Sequence, residues 1–338
     1  MEKDIQLTGL GNALVDLQYE VQDHELADLE FEKGAMTLVD IVKQKEVIAK
    51  FADRMHHKCS GGSAANTIIA FAAFGGKAAY KTHLGADELG DYYFKEFEDL
   101  GIHLHSEQID TDPTGTSFVM ITPDSERTMV TSLGASAKHG KEHIDDEIIA
   151  RSKWLYVEGY KFSERDSTEA VHHAINICKE NNTKIALSFS DKFIIDVFRD
   201  NLEYVAQNAD LIFCNEAEAC AYTGLSSAKE AFDKLCETTQ NVAVTMGNKG
   251  SLVKWGDQKL EMPSYEANLI DTTGAGDMYA GGFLYGIINS GDPHIAGHLG
   301  SYSAALVVSQ FGARLNKDHG EIRDKILDDH KNGRLKSN

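Results

Sequence analysis

Residues 271–277 read Asp-Thr-Thr-Gly-Ala-Gly-Asp, and this stretch decides the fold. It follows the apolar pair Leu269-Ile270 and precedes an apolar run from Met278 to Ile288. Its small residues predict a strand-to-helix turn whose backbone approaches a ligand closely. The first amides of a helix lack partners and lie at the positive end of the helix dipole. The stretch therefore predicts an anion site.

Asp277 stands at the start of the predicted helix, where a carboxylate is unfavourable beside a bound anion. A role as general base, which takes a proton from a reacting group, would explain a carboxylate at this position. The spacing alone leaves open that Asp277 is an ordinary helix cap.

Three further turns combine glycine or small polar residues with the start of a predicted element: 61–66, 215–218 and 245–250. In an open α/β sheet, ligands bind at such turns, beyond the carboxyl ends of the strands. Taken singly, each is also explained as a tight turn, a helix cap or a hairpin turn.

Short apolar strands alternate with helices over most of the chain, which predicts an α/β fold with a doubly wound, mostly parallel sheet flanked by helices. Two segments differ, because residues 14–21 alternate apolar and polar side chains and residues 115–133 have the pattern of a hairpin. We therefore expect one unit over residues 1–338, with a small β-sheet lid from approximately 12–40 and 103–133. The remainder forms the large α/β domain.

The charge and the cysteines limit the partners and the compartment. With 33 Lys and Arg against 53 Asp and Glu, the formal net charge is −20, which excludes a nucleic acid polymer as partner. Five cysteines without a C-x-x-C pair predict neither a disulfide framework nor a zinc site, and they favour a reducing cytoplasm. No apolar run is long enough for a membrane span, and the sequence lacks a P-loop and a G-x-G-x-x-G fingerprint.

Taken together, the four turns resemble the motifs of the ribokinase-like (PfkB) carbohydrate and nucleoside kinases. Residues 271–277 resemble the C-terminal motif of that family, and Gly61-Gly62 with Asn66 resembles its N-terminal motif. Residues 215–218 match its N-x-x-E motif, and 247–250 match the glycines of its nucleotide loop. The motifs occur in the family's order, and the resemblance covers about residues 7–313.

Within that family the chain is most similar to adenosine kinases. Residues 11–16, Gly-Asn-Ala-Leu-Val-Asp, resemble their Gly-Asn-Pro-Leu-Leu-Asp start, with Ala13 in place of proline. The resemblance implies ATP-dependent phosphorylation of the 5′-hydroxyl of a nucleoside. The first candidate substrate is adenosine, which would become AMP. Two alternatives stay open: a sugar kinase of the ribokinase or fructokinase type, and a nucleoside-binding homologue without catalysis.

The resemblance also implies roles for the matching residues. Asp277 takes the proton of the attacking hydroxyl. The groups that stabilise the transferring phosphoryl group are the amides of Gly274, Ala275 and Gly276 and the side chain of Arg127. The ribose is held by Asn12 and Asp16, beside a wall of Gly61, Gly62 and Asn66. The nucleoside base stacks on Tyr160 and Phe193.

On the nucleotide side, the resemblance implies that ATP is bound by Asn215, Thr245, Gly247 and Gly250. Glu218 organises Mg²⁺ through water, because this ion keeps much of its hydration shell. A monovalent cation beside the phosphate turn is left open, as is the choice between a monomer and a homodimer. The expected partner is a small nucleoside or sugar, with no nucleic acid polymer and no membrane.

Overall fold

The computed structural model describes residues 2–51, 54–124 and 126–335. The strands of the described chain are β1 Ile5–Leu10, β2 Leu14–Glu20, β3 Met36–Leu38, β4 Met55–Gly61, β5 Ala78–Gly85, β6 His103–Ile109, β7 Gly115–Ile121, β8 Arg127–Ser132, β9 Ser152–Glu158, β10 Lys184–Ser188, β11 Leu211–Asn215, β12 Asn241–Thr245, β13 Ser251–Trp255 and β14 Gln258–Met262.

The helices of the same part of the chain are α1 Asp23–Ala27, α2 Ile41–Ala49, α3 Ser63–Ala73, α4 Glu88–Asp99, α5 Asp146–Arg151, α6 Arg165–Asn181, α7 Lys192–Val197, α8 Arg199–Ala206, α9 Glu216–Thr223, α10 Ala228–Thr238, α11 Ala275–Ser290, α12 Pro293–Val307 and α13 His319–Lys331. Short 3₁₀ helices lie at Gly134–Lys138, Lys141–His143, Gly159–Ser163 and Gly247–Lys249.

The large sheet has nine strands in the order β14-β13-β12-β11-β10-β9-β1-β5-β6. Seven neighbouring strands, from β12 to β6, are parallel, and β13 and β14 are antiparallel at one edge. Along β9, Trp154 and Tyr156 belong to one hydrophobic core, whereas Leu155 and Val157 belong to another. Because successive side chains of a strand point to opposite faces, the sheet is covered on both sides. The predicted fold class is confirmed.

The second sheet has five strands in the order β3-β8-β7-β2-β4. The predicted hairpin is present, because β7 and β8 pair antiparallel; its turn includes Ser125, which lies outside the described residues. The strand pairing corrects the predicted limits of the lid. Residues 103–109 form β6 and pair with β5 in the large sheet, whereas Met55–Gly61, not assigned to the lid, forms β4 beside β2.

The chain passes four times between the two sheets. The passages lie between β1 and β2, between β4 and α3, between β6 and β7, and after β8. Glycines allow close contact there: a Cβ on Gly62 would lie 2.2 Å from the carbonyl oxygen of Asn12, and one on Gly134 would lie 2.2 Å from that of Pro113. Neither position has room for a larger residue.

Two details differ from the sequence prediction around residues 269–278. The segment before the turn is not a buried strand, because Leu269 is exposed and the amides of Ile270 and Asp271 donate to the carbonyl of Val308 at the end of α12. The following helix begins at Ala275, three residues before the predicted start at Met278. The predicted C-terminal polar helix is present as α13.

All five cysteines are free thiols. Among the helices of the described residues, none is long and apolar enough to span a bilayer.

Candidate active site

A cavity of about 640 Å³ lies between the two sheets. The carboxyl ends of parallel strands form its floor, with Asn12 after β1, Glu158 ending β9, Ser188 ending β10, Asn215 ending β11 and Thr245 ending β12. Residues of the small sheet cover it from the opposite side. The cavity is therefore at the position where α/β sheets bind ligands.

Asp277 lies in the first turn of α11 and lines this cavity. Ser63 Oγ donates to its Oδ1 at 2.6 Å, and Asn66 Nδ2 donates to its Oδ2 at 3.3 Å. Burial raises the pKa of Asp277 to about 6, while these two hydrogen bonds to the charged form oppose the rise. The carboxylate is therefore held in place and can accept a proton near neutral pH.

The two glycines of the turn before Asp277 differ in whether the fold requires a glycine at that position. Gly274 has a φ of 72°, and a Cβ there would lie 2.4 Å from that of Ala313, so the fold requires it. A Cβ on Gly276 would meet nothing within 4 Å, although the residue lines the cavity. The fold does not need a glycine there, and the open space leaves its backbone accessible to a ligand.

The amides of this turn are not equally available. The Ala275 amide donates to the carbonyl of Thr272 at 3.2 Å. Within the described chain, the amides of Gly274 and Gly276 make no such bond. Two of the three predicted anion-binding amides are therefore available at the start of α11, and the third would have to exchange its partner.

Arg127, at the start of β8, extends across the cavity to the turn. Its Nη2 lies 2.9 Å from Asp271 Oδ2, and both side chains are buried. Asp271 also accepts from the amides of Thr273 at 2.9 Å and Gly312 at 2.7 Å. Among the described residues, Nε and Nη2 of Arg127 have no well-aligned hydrogen-bond acceptor. The guanidinium thus brings N–H groups to the cavity that suit an anion.

Asp16 of β2 lines the cavity from the small sheet. Burial raises the pKa of its carboxyl to about 6, with Arg314 and Arg127 opposing this and Asp277 adding to it. In the described structure no hydrogen bond to its carboxylate is present, and Gly61 packs so closely that a Cβ would lie 2.7 Å from Oδ2. An acceptor without donors in a cavity suits the hydroxyl groups of a ligand.

Asn12 is held by a buried network that the sequence reasoning did not predict. Glu158 accepts from the amide of Asn12 at 2.7 Å and from that of Ala64 at 2.6 Å. Lys161 Nζ donates to Asn12 Oδ1 at 3.2 Å. Burial raises the pKa of Glu158 and lowers that of Lys161, while the opposite charge of each partner counteracts these shifts. Together with Gly62, this network fixes Asn12 at the cavity wall.

Asn215 and Glu218 form a capping box at the start of α9. Asn215 Oδ1 accepts from the Glu218 amide at 2.9 Å, and its Nδ2 donates to Glu218 Oε1 at 2.6 Å. Burial raises the pKa of Glu218 to about 7, and the charges of Asp191 and Asp277 raise it further. This carboxylate would gain from a nearby cation. Because both its oxygens are already bonded to Asn215, contact with Mg²⁺ through water fits better than direct ligation.

The predicted nucleotide loop is only partly at the cavity. Thr245 lines it, whereas Gly247 and Gly250 are not among its lining residues. The fold requires glycine at position 250, because its φ is 90° and a Cβ there would lie 1.9 Å from the carbonyl oxygen of Met262. A Cβ on Gly247 would meet nothing within 4 Å.

The two predicted aromatic residues have different surroundings. Tyr160 lines the cavity, and its hydroxyl donates to the carbonyl of Ser190 at 3.4 Å. Phe193 is 44% exposed on α7, packs edge-on against Phe198 and does not line the cavity. The structure thus brings Tyr160, but not Phe193, to the site.

Two residues that line the cavity are not predicted as site residues from the sequence. Glu158 directly follows a predicted strand, so the strand-end rule could have found it, whereas Ser63 is explained equally well as a helix cap. Arg314 does not line the cavity, but its charge opposes the rise in the pKa of Asp16. It pairs with Glu96 and donates to Ser60 of β4, and it follows α12 without any motif.

Comparisons with known proteins agree with this geometry. The model of the "pfkB family carbohydrate kinase" matches residues 36–319. Adenosine kinase of Saccharomyces cerevisiae is 28% identical over 327 residues, covering 90% of this chain and 95% of that protein.

Two solved structures are similar over nearly their whole length. A probable sugar kinase from Rhizobium etli has a TM-score of 0.89 at 29% identity, covering 99% of this chain and 100% of that one. Adenosine kinase from Sinorhizobium meliloti has a TM-score of 0.88 at 30% identity, covering 95% and 99%.

Proposed function

The chain belongs to the pfkB family of carbohydrate kinases, and from this we propose that it transfers the γ-phosphoryl group of ATP to the 5′-hydroxyl of a nucleoside. It is a phosphotransferase with an alcohol group as the acceptor. Adenosine, which becomes AMP, is the first substrate we propose, because two of the similar proteins are adenosine kinases.

The observation that carries the proposal is the position of Asp277 in the first turn of α11, next to the open glycine turn. A hydroxyl that attacks a phosphoryl group must lose its proton, and Asp277 accepts it. Ser63 and Asn66 orient the carboxylate. The remaining catalysis is positioning and stabilisation of negative charge.

On the phosphate side, the amides of Gly274 and Gly276 and the guanidinium of Arg127 bind the transferring group. This assignment is supported by the two amides, which make no backbone hydrogen bond in the described chain, and by Nε of Arg127, which has no acceptor there. Ala275 joins them if its amide leaves Thr272. Thr245 holds the nucleotide at the end of β12, with the glycines of the following turn nearby. Glu218 holds Mg²⁺ through water, and the ion when bound neutralises charge on the phosphates.

On the acceptor side, Asp16 binds the vicinal hydroxyls of the ribose, and Asn12 binds beside it. The unsatisfied carboxylate of Asp16 and the fixed side chain of Asn12 support this assignment. Tyr160 stacks on the base. Gly62 and Asn66 line the cavity beside them, and Gly61, which does not line it, packs against the carboxylate of Asp16.

A sugar kinase of the ribokinase or fructokinase type is the second candidate. The similarity to the probable sugar kinase from Rhizobium etli favours it, because that structure is as similar overall as the adenosine kinase structure. A nucleoside-binding protein without catalysis is less well supported, because the oriented Asp277 has no role in it.

The test is a substrate panel of adenosine, inosine, guanosine, ribose and fructose, with ADP production as the readout. We expect kcat/KM for adenosine to exceed that for every other compound by about 10-fold or more, since each good contact to the base contributes about 1.4 kcal/mol or more. An Asp277→Asn preparation, assayed alongside, corrects for contaminating kinases. Faster turnover of ribose or fructose would replace the nucleoside proposal by the sugar kinase.

The pH dependence of the reaction is a second test. Because Asp277 must be ionised to act as a base, kcat/KM falls as the pH drops through its pKa of about 6. Ser63 stabilises the charged form, so Ser63→Ala raises that pKa and moves the acidic limb up by about one pH unit. A pH profile of kcat/KM for both proteins measures this shift.

The matched control for that experiment is Ser163→Ala. Ser163 also lines the cavity, but its hydroxyl donates to the carbonyl of Tyr160 and does not contact Asp277. Its profile should coincide with that of the wild type. An unmoved limb in Ser63→Ala would mean that another carboxylate, such as Asp16, controls the profile.

We also propose that the enzyme works in a reducing cytoplasm. The five free thiols support this assignment.

A further inference from the structure

A second group of ionisable side chains lies where β5 and β6 pair beside the 3₁₀ helix Lys141–His143. His83 and Glu107 are direct partners in the parallel register, so their side chains leave the same face of the sheet. The ring of His143 lies 4.3 Å from that of His83, centroid to centroid. One ligand atom from each of these three residues lies within 4.8 Å of the other two. None of the three is among the residues that line the cavity.

The side chain of His83 is fully buried, and neither of its ring nitrogens has a hydrogen-bond partner within the described residues. The same is true of His139, whose ring stacks on that of His83 at 5.7 Å. Buried polar groups without partners are rare and costly, and an ion is one of the groups that satisfies them.

We propose that His83, Glu107 and His143 form a binding site for a divalent transition metal ion of the zinc class. Two imidazoles and one carboxylate are ligands that zinc takes at about 2.0–2.2 Å. Three protein ligands leave a fourth position for water. Mg²⁺ and Ca²⁺, which prefer oxygen ligands, do not match this set.

His143 has a second group that can support it as a ligand. Its Nδ1 accepts from the amide of Gly140 at 3.2 Å and lies 3.7 Å from Glu142 Oε1. Ligation through Nε2 puts the proton on Nδ1, which then gives up its bond from the Gly140 amide and donates to the carboxylate of Glu142 instead. A carboxylate behind a metal-bound imidazole is the common arrangement in zinc sites.

Lys81 is the competing cation. It lies two residues before His83 on the same face of β5, and the charges of Glu107 and Asp145 favour its ammonium form, whose pKa is lowered by burial. A metal ion would compete with Lys81 for the negative charge of Glu107. The three ligands come from three chain segments, so a bound ion would tie β5, β6 and the 3₁₀ helix together.

The test uses the full chain, stripped of metal with a chelator and titrated with Zn²⁺ by calorimetry without Mg²⁺ or nucleotide. We expect one tightly bound equivalent in the wild type. Glu107→Gln and His143→Gln remove ligands at the surface without opening the core, and each should weaken binding by about 10-fold or more. Bound Co²⁺ should give a visible d–d spectrum in the wild type that both variants lose.

Thermal unfolding is the second readout. Saturating Zn²⁺ should raise the Tm of the wild type by about 3 °C or more and leave that of His143→Gln unchanged. Without metal, the two proteins should unfold at similar temperatures, which separates loss of a ligand from loss of the fold.

The matched control is His173→Gln. His173 also pairs with a carboxylate, Asp146, at 2.8 Å, and this variant should bind Zn²⁺ like the wild type. Absence of a tight equivalent in the wild type overturns the proposal, as does unchanged binding in Glu107→Gln and His143→Gln. A loss of zinc binding in Glu218→Gln instead would also overturn it, because the ion would then bind in the cavity.

Discussion

Asp277→Asn is expected to lower kcat by about 10²–10⁴-fold, the range that general-base catalysis contributes. The amide cannot accept the proton of the attacking hydroxyl, although it has the same shape and can still accept from Ser63. Dissociation constants for ATP and for adenosine, measured by calorimetry, should change by less than about 3-fold. A large loss of kcat with intact binding is the pattern of a group that acts in the transition state.

Asp292→Asn is the matched control for this experiment. Asp292 also stands at the start of a helix, where it caps α12 by accepting from the amide of His294, and it does not line the cavity. Its kcat should equal that of the wild type. If Asp277→Asn kept full activity, Asp277 would be a helix cap and the base would have to be sought elsewhere.

Asp16→Ala is expected to raise KM for the nucleoside by about 100-fold or more. A carboxylate that accepts from two hydroxyl groups makes two charge-assisted hydrogen bonds, each contributing about 1.5 kcal/mol or more. KM for ATP should change by less than about 3-fold, because Asp16 lies on the small sheet, away from the strand ends assigned to the nucleotide.

Two comparisons sharpen this second experiment. Asp16→Asn keeps one acceptor oxygen and should fall between the wild type and Asp16→Ala. Removing the 2′-hydroxyl of the substrate should cost the wild type much more than it costs Asp16→Ala, because the variant has already lost the partner. Equal costs in both proteins, or equal rises in KM for ATP and nucleoside, would make Asp16 a structural residue.

The sequence predicts the architecture well where hydrophobic patterning is strong. Strands such as β9 to β12 are short apolar runs followed by polar residues, and the helices between them have apolar faces. It does not predict β4 or β5, because neither segment has the pattern of a strand. Met55–Gly61 is an edge strand made mostly of polar residues. Ala78–Gly85 is buried along its whole length although it contains Lys81, Thr82 and His83.

The residues of the candidate site likewise could be predicted where a local sequence pattern marks them and not elsewhere. Asp277, Asn215 and Thr245 could be found because each belongs to a turn at a strand end or a helix start. Only the family resemblance points to Phe193, and no local pattern tells whether an aromatic ring points into a cavity. Arg314 could not be found, because its contact with β4 joins residues that are more than 250 positions apart along the chain.

The four passages between the sheets have a consequence for how substrate preference can change. Asn12 lies on the first passage, and Gly62, which closes on it, lies on the second. The small sheet is thus built from separate chain segments, and the passages that connect them to the large sheet also form part of the binding surface. The small sheet therefore cannot be exchanged between related proteins as one continuous segment. We expect new substrate specificities to arise in this fold by single substitutions on the cavity wall, with the residues of the passages unchanged.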